Sequence, residues 1–403
     1  MKTLTNLLAG IACLFLMLGC AGPSGTDGLL PNIVAERIMM DKDEVVVADI
    51  SAFRDTVSLA LSVLTEKLEI IHLDNSEGAL FKWGELSLSE NYIGIATSSP
   101  TSFKLFERKT GKHLRDIGTV GNGPGEYRMI YATQIDEASG SIYILPWQAT
   151  QLLVFGIDGS LKAPIPFPAA TEKTRYVSPK GRFHVSGNGI LAMTVLPFFP
   201  IYAWQQDLEG NLLAEVERPA SMGRVDFSSE VMAGKNTGAF DPFLMIYGNE
   251  SNDVLAHFCF KEKRMVPVFT VKNIVDKYPP YYGYNELPKH FIGNYVPGMN
   301  PSEDNSNSFT AQAPRHFIVD KESLKGAYYK LLVDEFGDMP VAYPSFFEGH
   351  FILNIEAEVL KSQIASLLEK GGLKDAEVKK LKAMDAQIDE EDNNIIFLAK
   401  LKQ

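Results

Sequence analysis

The stretch Phe106-Glu107-Arg108-Lys109-Thr110-Gly111-Lys112 decides the fold. It joins one apolar run to another through a charged turn with a glycine near its end. Phe155-Gly156-Ile157-Asp158-Gly159-Ser160-Leu161 repeats the arrangement about fifty residues later, and Gln206-Asp207-Leu208-Glu209-Gly210-Asn211-Leu212 repeats it again. Each reads as a strand, a tight turn whose glycine takes a positive φ, and a second strand. An interval of about fifty residues is the length of one four-stranded propeller blade.

The surrounding texture agrees. From residue 44 onward, short runs rich in β-branched and aromatic residues alternate with Gly, Asn, Asp and Pro. Examples are Val45–Val47, Tyr92–Ala96, Ser102–Phe106, Ser141–Leu145, Leu152–Ile157, Gly189–Val195, Ile201–Gln205, Val254–Phe260 and Met265–Val271. Such spacing points to an all-β sandwich, barrel or propeller. Residues 44–403 suffice for six blades with their loops, a length sandwiches rarely reach. The expected fold class is therefore all-β, a six-bladed β-propeller, with a small helical hairpin inserted in the last blade at 355–392. The hairpin rests on apolar residues at helical spacing in Ile355–Leu368, the Gly371-Gly372 stop, and acidic Asp375 and Glu377 at the start of a second helix. It covers a blade edge or, alternatively, docks a partner. Ile395–Leu401 is the last strand, and the simplest ring closure pairs it in one sheet with Glu44–Ile50. The tyrosine- and proline-rich stretch Asp276–Gly298 reads as a long inter-blade loop with exposed tyrosines.

Ile117-Gly118-Thr119-Val120-Gly121-Asn122-Gly123-Pro124-Gly125-Glu126-Tyr127 is a shaped loop, since glycines around a proline fit neither strand nor helix. No Lys-Ser/Thr follows, so it is no nucleotide-binding loop. With Ala132–Asp136, Gly140–Ile144 and Leu152–Gly159 after it, the pattern resembles a blade boundary of NHL-like six-bladed β-propellers. Together with Leu68–Leu73 and the ending Asn394–Lys402, it resembles the six-bladed β-propeller lipoproteins of Bacteroidota-type bacteria. That resemblance implies a fold and a location more than an activity.

The N-terminus carries an address. Lys2, an apolar run Leu7–Leu18, and Leu16-Met17-Leu18-Gly19-Cys20 have the layout of a secretory signal too short to span a bilayer. A cysteine after the small residue resembles the bacterial lipoprotein signal. The resemblance implies removal of residues 1–19, acylation of Cys20 with palmitate-type chains, and an outer-membrane lipoprotein; an ordinary signal peptide is the alternative. Residues 20–43 then form the lipidated end and a Gly/Pro/Ser-rich flexible tether. With a single acid, Asp27, before residue 30, the periplasmic face is favoured over the cell surface.

Net charge is −12, and removing residues 1–19, with one lysine and no acid, makes it −13. Such a chain is a poor nucleic-acid binder, and its membrane attachment falls to the N-terminal lipid. Of three cysteines, Cys13 leaves with the signal and Cys20 is consumed, so Cys259 is unpaired.

Propellers place ligand sites on loops at the channel mouth. Glu126, Tyr127 and Arg128 after the glycine loop, with Trp147 and Gln148 after the next strand, are candidates to hold a sugar or peptide by stacking and hydrogen bonds. The structural alternative has Glu126 satisfying loop amides and Tyr127 packing between blades. Arg315 and His316 are a second, channel-facing candidate pair. The seven histidines show no metal-ligand spacing, no catalytic signature is present, and no cofactor or metal is called for. The sequence reads best as a membrane-tethered binding or interaction scaffold for a glycan, peptide or envelope protein. The alternative is an NHL-like lyase or hydrolase with a channel-centred site.

Overall fold

The computed structural model describes residues 26, 28–97, 101–169, 180–219, 225, 227–245, 254–272, 281–296, 299–301 and 309–403. Cys20 and residues 273–280 lie outside the described residues. The chain is an all-β propeller. Its first blade is an antiparallel meander of Gly84–Leu88, Tyr92–Thr97, Phe103–Glu107 and His113–Ile117. The second runs through Ile130–Asp136, Ser141–Pro146, Gln151–Gly156 and Ile165–Pro166. The third runs through Gly181–Val185, Ile190–Val195, Ile201–Asp207 and Leu212–Glu217. The three diagnostic turns join the outer strands of these blades. Gly111, Gly159 and Gly210 there take φ of +71°, +87° and +90°, where a side chain would be strained.

Two further four-stranded sheets draw on distant parts of the chain. In one, the hairpin Ala35–Met40 and Asp43–Asp49 joins Arg264–Lys272 and Val254–Cys259. Asp43–Asp49 runs parallel to Arg264–Lys272, with Val46 opposite Phe269. In the other, Ser345–Phe347, His350–Ile355 and Ile395–Lys400 are completed by Glu69–His72. The regular four-stranded sheets thus number five among the described residues, rather than the six blades expected. The remaining large sheet has seven strands. Its backbone is Tyr281–Glu286, His290–Val296, Arg315–Asp320 and Lys325–Val333, and Asn32–Ile33, Thr56–Ala60 and Met339–Val341 attach to the last of these.

Several expectations are corrected. Ring closure does involve the C-terminal strand, but Ile396 faces Ile71, and Asp43–Asp49 lies in a different sheet. Both N-terminal runs are apolar enough to fill the position. The selection is made by Asn393, buried just before the last strand. Its Nδ2 donates to the carbonyls of Asp74 (2.9 Å) and Ala79 (3.0 Å), and its N–H donates to Asn75 Oδ1 (2.8 Å). The tether also ends earlier than expected. Leu30 and Val34 are buried, and Ala35–Met40 is a paired strand, with Glu36, Arg37 and Ile38 opposite Val47, Val46 and Val45. Over 281–296 the expected loop is instead a strand pair, with Tyr282, Tyr284 and Tyr295 buried in an aromatic cluster with Phe269 and Phe291.

Helices Ala357–Lys370 and Asp375–Asp385 lie between His350–Ile355 and Ile395–Lys400. Leu360, Ile364, Leu381 and Met384 join one core cluster with Phe336, Phe351 and Phe397. Each such apolar side chain contributes roughly 1.5–3 kcal/mol on burial.

Candidate functional site

In the first three blades the first strand is the innermost, and these strands run side by side around the axis. Ser87 in the first blade hydrogen-bonds Thr133 in the second (2.7 Å), and Gln134 in the second exchanges two hydrogen bonds with Val185 in the third (2.7 and 3.0 Å). Equivalent positions therefore lie level, and the starts of the inner strands face one mouth.

At that mouth a charged network links inner strands that are not neighbours. Arg182, second residue of the third blade's inner strand, pairs with Glu85 of the first at 3.2 Å and donates to the Tyr131 carbonyl at 2.6 Å. Its guanidinium lies 5.2 Å from the centre of the Tyr131 ring, a cation–π placement. Tyr131 in turn donates its hydroxyl to Glu230, which opens the hairpin strand Glu230–Ala233. Lys180 reaches the same carboxylate and also donates to the carbonyls of Phe227 (2.7 Å) and Ser229 (3.1 Å). Burial pushes the Tyr131 phenol up, so it stays a neutral donor.

Below this network, at the far ends of the inner strands, the axis is crossed again. Lys235 follows Glu230–Ala233, and Glu348 follows Ser345–Phe347. Both residues adopt left-handed backbone, at φ +54° and +49°, which non-glycine residues rarely take. Their charged groups lie 3.8 Å apart. Lys235 Nζ sits 5.9 Å from both the Phe183 and Phe347 rings. The Glu348 carboxylate accepts from the Leu88 N–H at 3.2 Å, and the Glu348 N–H donates to the Gly234 carbonyl at 2.8 Å. Asn236 donates to Phe346 O and Asn285 Oδ1 and accepts from Gly349 N–H. Burial lowers the Lys235 pKa and raises that of Glu348, each opposed by attraction to the other. Asp241 clamps this turn by accepting from the Gly234 and Lys235 N–H groups (3.0 and 2.7 Å), while burial pushes its carboxyl up to about 6. The hub ties together the third blade, the Glu230 hairpin, the closing sheet and the first blade.

The rim of the charged mouth is aromatic. Trp83 immediately precedes the first inner strand and is 63% exposed; Tyr343 precedes the closing sheet's inner strand and is 76% exposed. Phe227, ahead of the Glu230 strand, is exposed and stacks on Phe198 at 4.8 Å. Exposed Trp147 joins the second blade's middle strands at the same end, and its N–H donates to the Met129 carbonyl at 3.0 Å.

The residues singled out in the sequence divide accordingly. Trp147 and Gln148 belong to this rim, as does exposed Arg128. Tyr127 is buried: its hydroxyl accepts from Phe103 N–H at 2.8 Å and donates to the Ile117 carbonyl, and burial pushes its pKa up to about 12. Glu126 turns its carboxylate onto its own loop, accepting from Gly123 N–H at 2.7 Å. These two hold the loop. Arg315 and His316 start the third strand of the seven-stranded sheet, two strands out from the axis, and so do not face the channel. Arg315 lies over Tyr328, and His316 Nε2 bonds the Ala342 carbonyl at 3.0 Å.

Glu85, Tyr131, Lys180, Arg182, Glu230, Lys235 and Glu348 were not anticipated. For the first five the signal is a polar side chain at the start of an inner strand, visible only once the blades are aligned on their turns; Lys235 and Glu348 instead follow strand ends, in left-handed turns. A cavity of about 360 Å³ at the opposite end is lined by Ser89, Glu90, Gln134, Asp136, Glu137 and Gly187 and has no aromatic wall. Among the described residues, no three His, Cys, Asp or Glu side chains gather as a metal site, and no helix is long and apolar enough to cross a membrane.

Comparison with known proteins supports the architecture. An exported-protein name belongs to one similar structure, from Bacteroides fragilis NCTC 9343. It aligns over 87% of this chain and 99% of its own, at 16% identity and a TM-score of 0.58. A DUF4221-family member from Bacteroides vulgatus ATCC 8482 aligns over 84% and 97%, at 11% identity and a TM-score of 0.48. The WD40 domain of Toxoplasma gondii coronin aligns over 74% and 72%, at 12% identity and a TM-score of 0.39. No curated protein matches in sequence. Residues 45–195, spanning the first two blades and much of the third, match the model of a domain of unknown function, DUF4934.

Proposed function

We propose that this chain is an exported, lipid-tethered binding module of the cell envelope. Its ligand site is the aromatic-rimmed, charged mouth where the inner strands begin. The observation that carries the reading is the combination at one mouth of exposed Trp83, Trp147, Phe227 and Tyr343 with the Arg182–Glu85 and Lys180–Glu230–Tyr131 network. Exposed aromatics release favourable burial free energy when a partner covers them, and polar groups that remain part-exposed supply orientation. In this reading the ring has six positions. The antiparallel backbone of the seven-stranded sheet fills the sixth, between the Arg264–Lys272 sheet and the closing sheet. Acylation at Cys20 supplies the tether, with the module on the periplasmic face of the outer membrane.

The tryptophans provide the test. Trp204 is buried in the core, while Trp83 and Trp147 stand at the mouth. In the Trp204→Phe protein, emission comes from the mouth alone, and a bound glycan or peptide blue-shifts and protects it from iodide quenching. A ligand that binds without altering either tryptophan places the site elsewhere. Turnover of a bound glycan or peptide favours the lyase or hydrolase alternative.

A further inference from the structure

Resting on that reading of the mouth, we infer that the ligand is a neutral, hydroxyl-rich glycan, bound by a terminal or short internal stretch. The floor holds two cations and two carboxylates, so it presents no net charge to select a charged ligand. The arrangement is asymmetric. Side-chain exposure is 45% for Glu85 and 35% for Glu230, but 18% for Arg182 and 14% for Lys180. The bases are the more buried partners and the acids the more exposed, and each carboxylate oxygen that already accepts one hydrogen bond within the network keeps a second lone pair.

An acidic glycan would meet those carboxylates as well as rim Arg128, in a chain that stands at −13 once residues 1–19 leave. A cationic peptide would have to compete with Arg182 and Lys180 for oxygens they already engage, losing much of its own hydration for a partner that is neutralised. A neutral polyol meets neither cost. Each carboxylate retains lone pairs that accept from hydroxyl pairs, and the exposed faces of Trp83 and Tyr343 offer flat apolar surface to the C–H faces of a sugar ring.

The test is isothermal titration of the full chain in detergent. The neutral panel is maltohexaose, xylohexaose, mannohexaose and chitohexaose; the charged controls are a hexagalacturonate and an arginine-rich hexapeptide. At least one neutral member should bind, and Trp83→Ala and Tyr343→Ala should each weaken it by about tenfold, since both side chains are exposed and their loss spares the core. Glu85→Gln should weaken it as well. The inference is overturned if no neutral member binds below about 1 mM. It is also overturned if a charged control alone binds with the same dependence on Trp83 and Tyr343, although the mouth would then stand as the site. Binding indifferent to all three substitutions would instead overturn the mouth itself.

Discussion

Replacing Lys235 with methionine tests whether the Lys235–Glu348 hub is held electrostatically. Methionine keeps most of the stem between Phe183 and Phe347 but leaves the Glu348 carboxylate without its cation. At 3.8 Å, two unit charges attract by about 4 kcal/mol at an effective dielectric near 20. Removing one member of a buried pair typically costs about 3–5 kcal/mol, so a loss of about 3 kcal/mol at pH near 8 is expected. The loss should depend on pH. Burial already raises the Glu348 pKa above 4.5, and Lys235 opposes that rise. Without Lys235 the folded-state pKa rises further. Above pH 4.5 the folded protein then holds a proton that the unfolded chain has released, so its stability falls as pH rises through that window. Urea denaturation should therefore show a smaller deficit near pH 5 than near pH 8, and Glu348→Gln in the same chain should restore most of it. An equal deficit at both pH values, unchanged by Glu348→Gln, would refute an electrostatic hub.

Other consequences are separable from binding. Tyr127→Phe strips a partner from the buried Phe103 N–H and Ile117 carbonyl; it should cost about 2–3 kcal/mol in urea melts with no change in ligand affinity. Asn393→Ala removes the latch that selects Glu69–His72, and a loss of about 3 kcal/mol is expected, seen as faster hydrogen exchange confined first to Ile395–Lys400 and its partners.

Much of the fold was legible because glycine is required where the outer hairpins turn. Gly111, Gly159 and Gly210 punctuate the first three blades at a fixed interval, and every strand between them is local in sequence. Legibility failed where strands pair over long distances. Val45–Val47 and Ile70–Ile71 are equally apolar, and the buried contacts of Asn393 and Asn394 with residues 74–82, which mark the strand that completes the closing sheet, exist only in the folded chain. The tyrosines of 281–296 looked like loop aromatics because an alternating pattern of Tyr, Gly and Asn is as polar as a loop, until three of the rings are buried together. At the mouth, Trp147 and Gln148 were visible as loop residues beside a strand. Glu85, Arg182 and Glu230 were not, since a single charged residue inside an apolar strand declares its partners only after the ring closes.

The most direct measurement is a crystal structure of the protein with a bound neutral oligosaccharide. The expected seat of the sugar is the mouth, with rings against Trp83 or Tyr343 and hydroxyls donating to the carboxylate of Glu85 or Glu230. A sugar seated instead at the opposite end, among Glu90, Asp136 and Glu137, would contradict it.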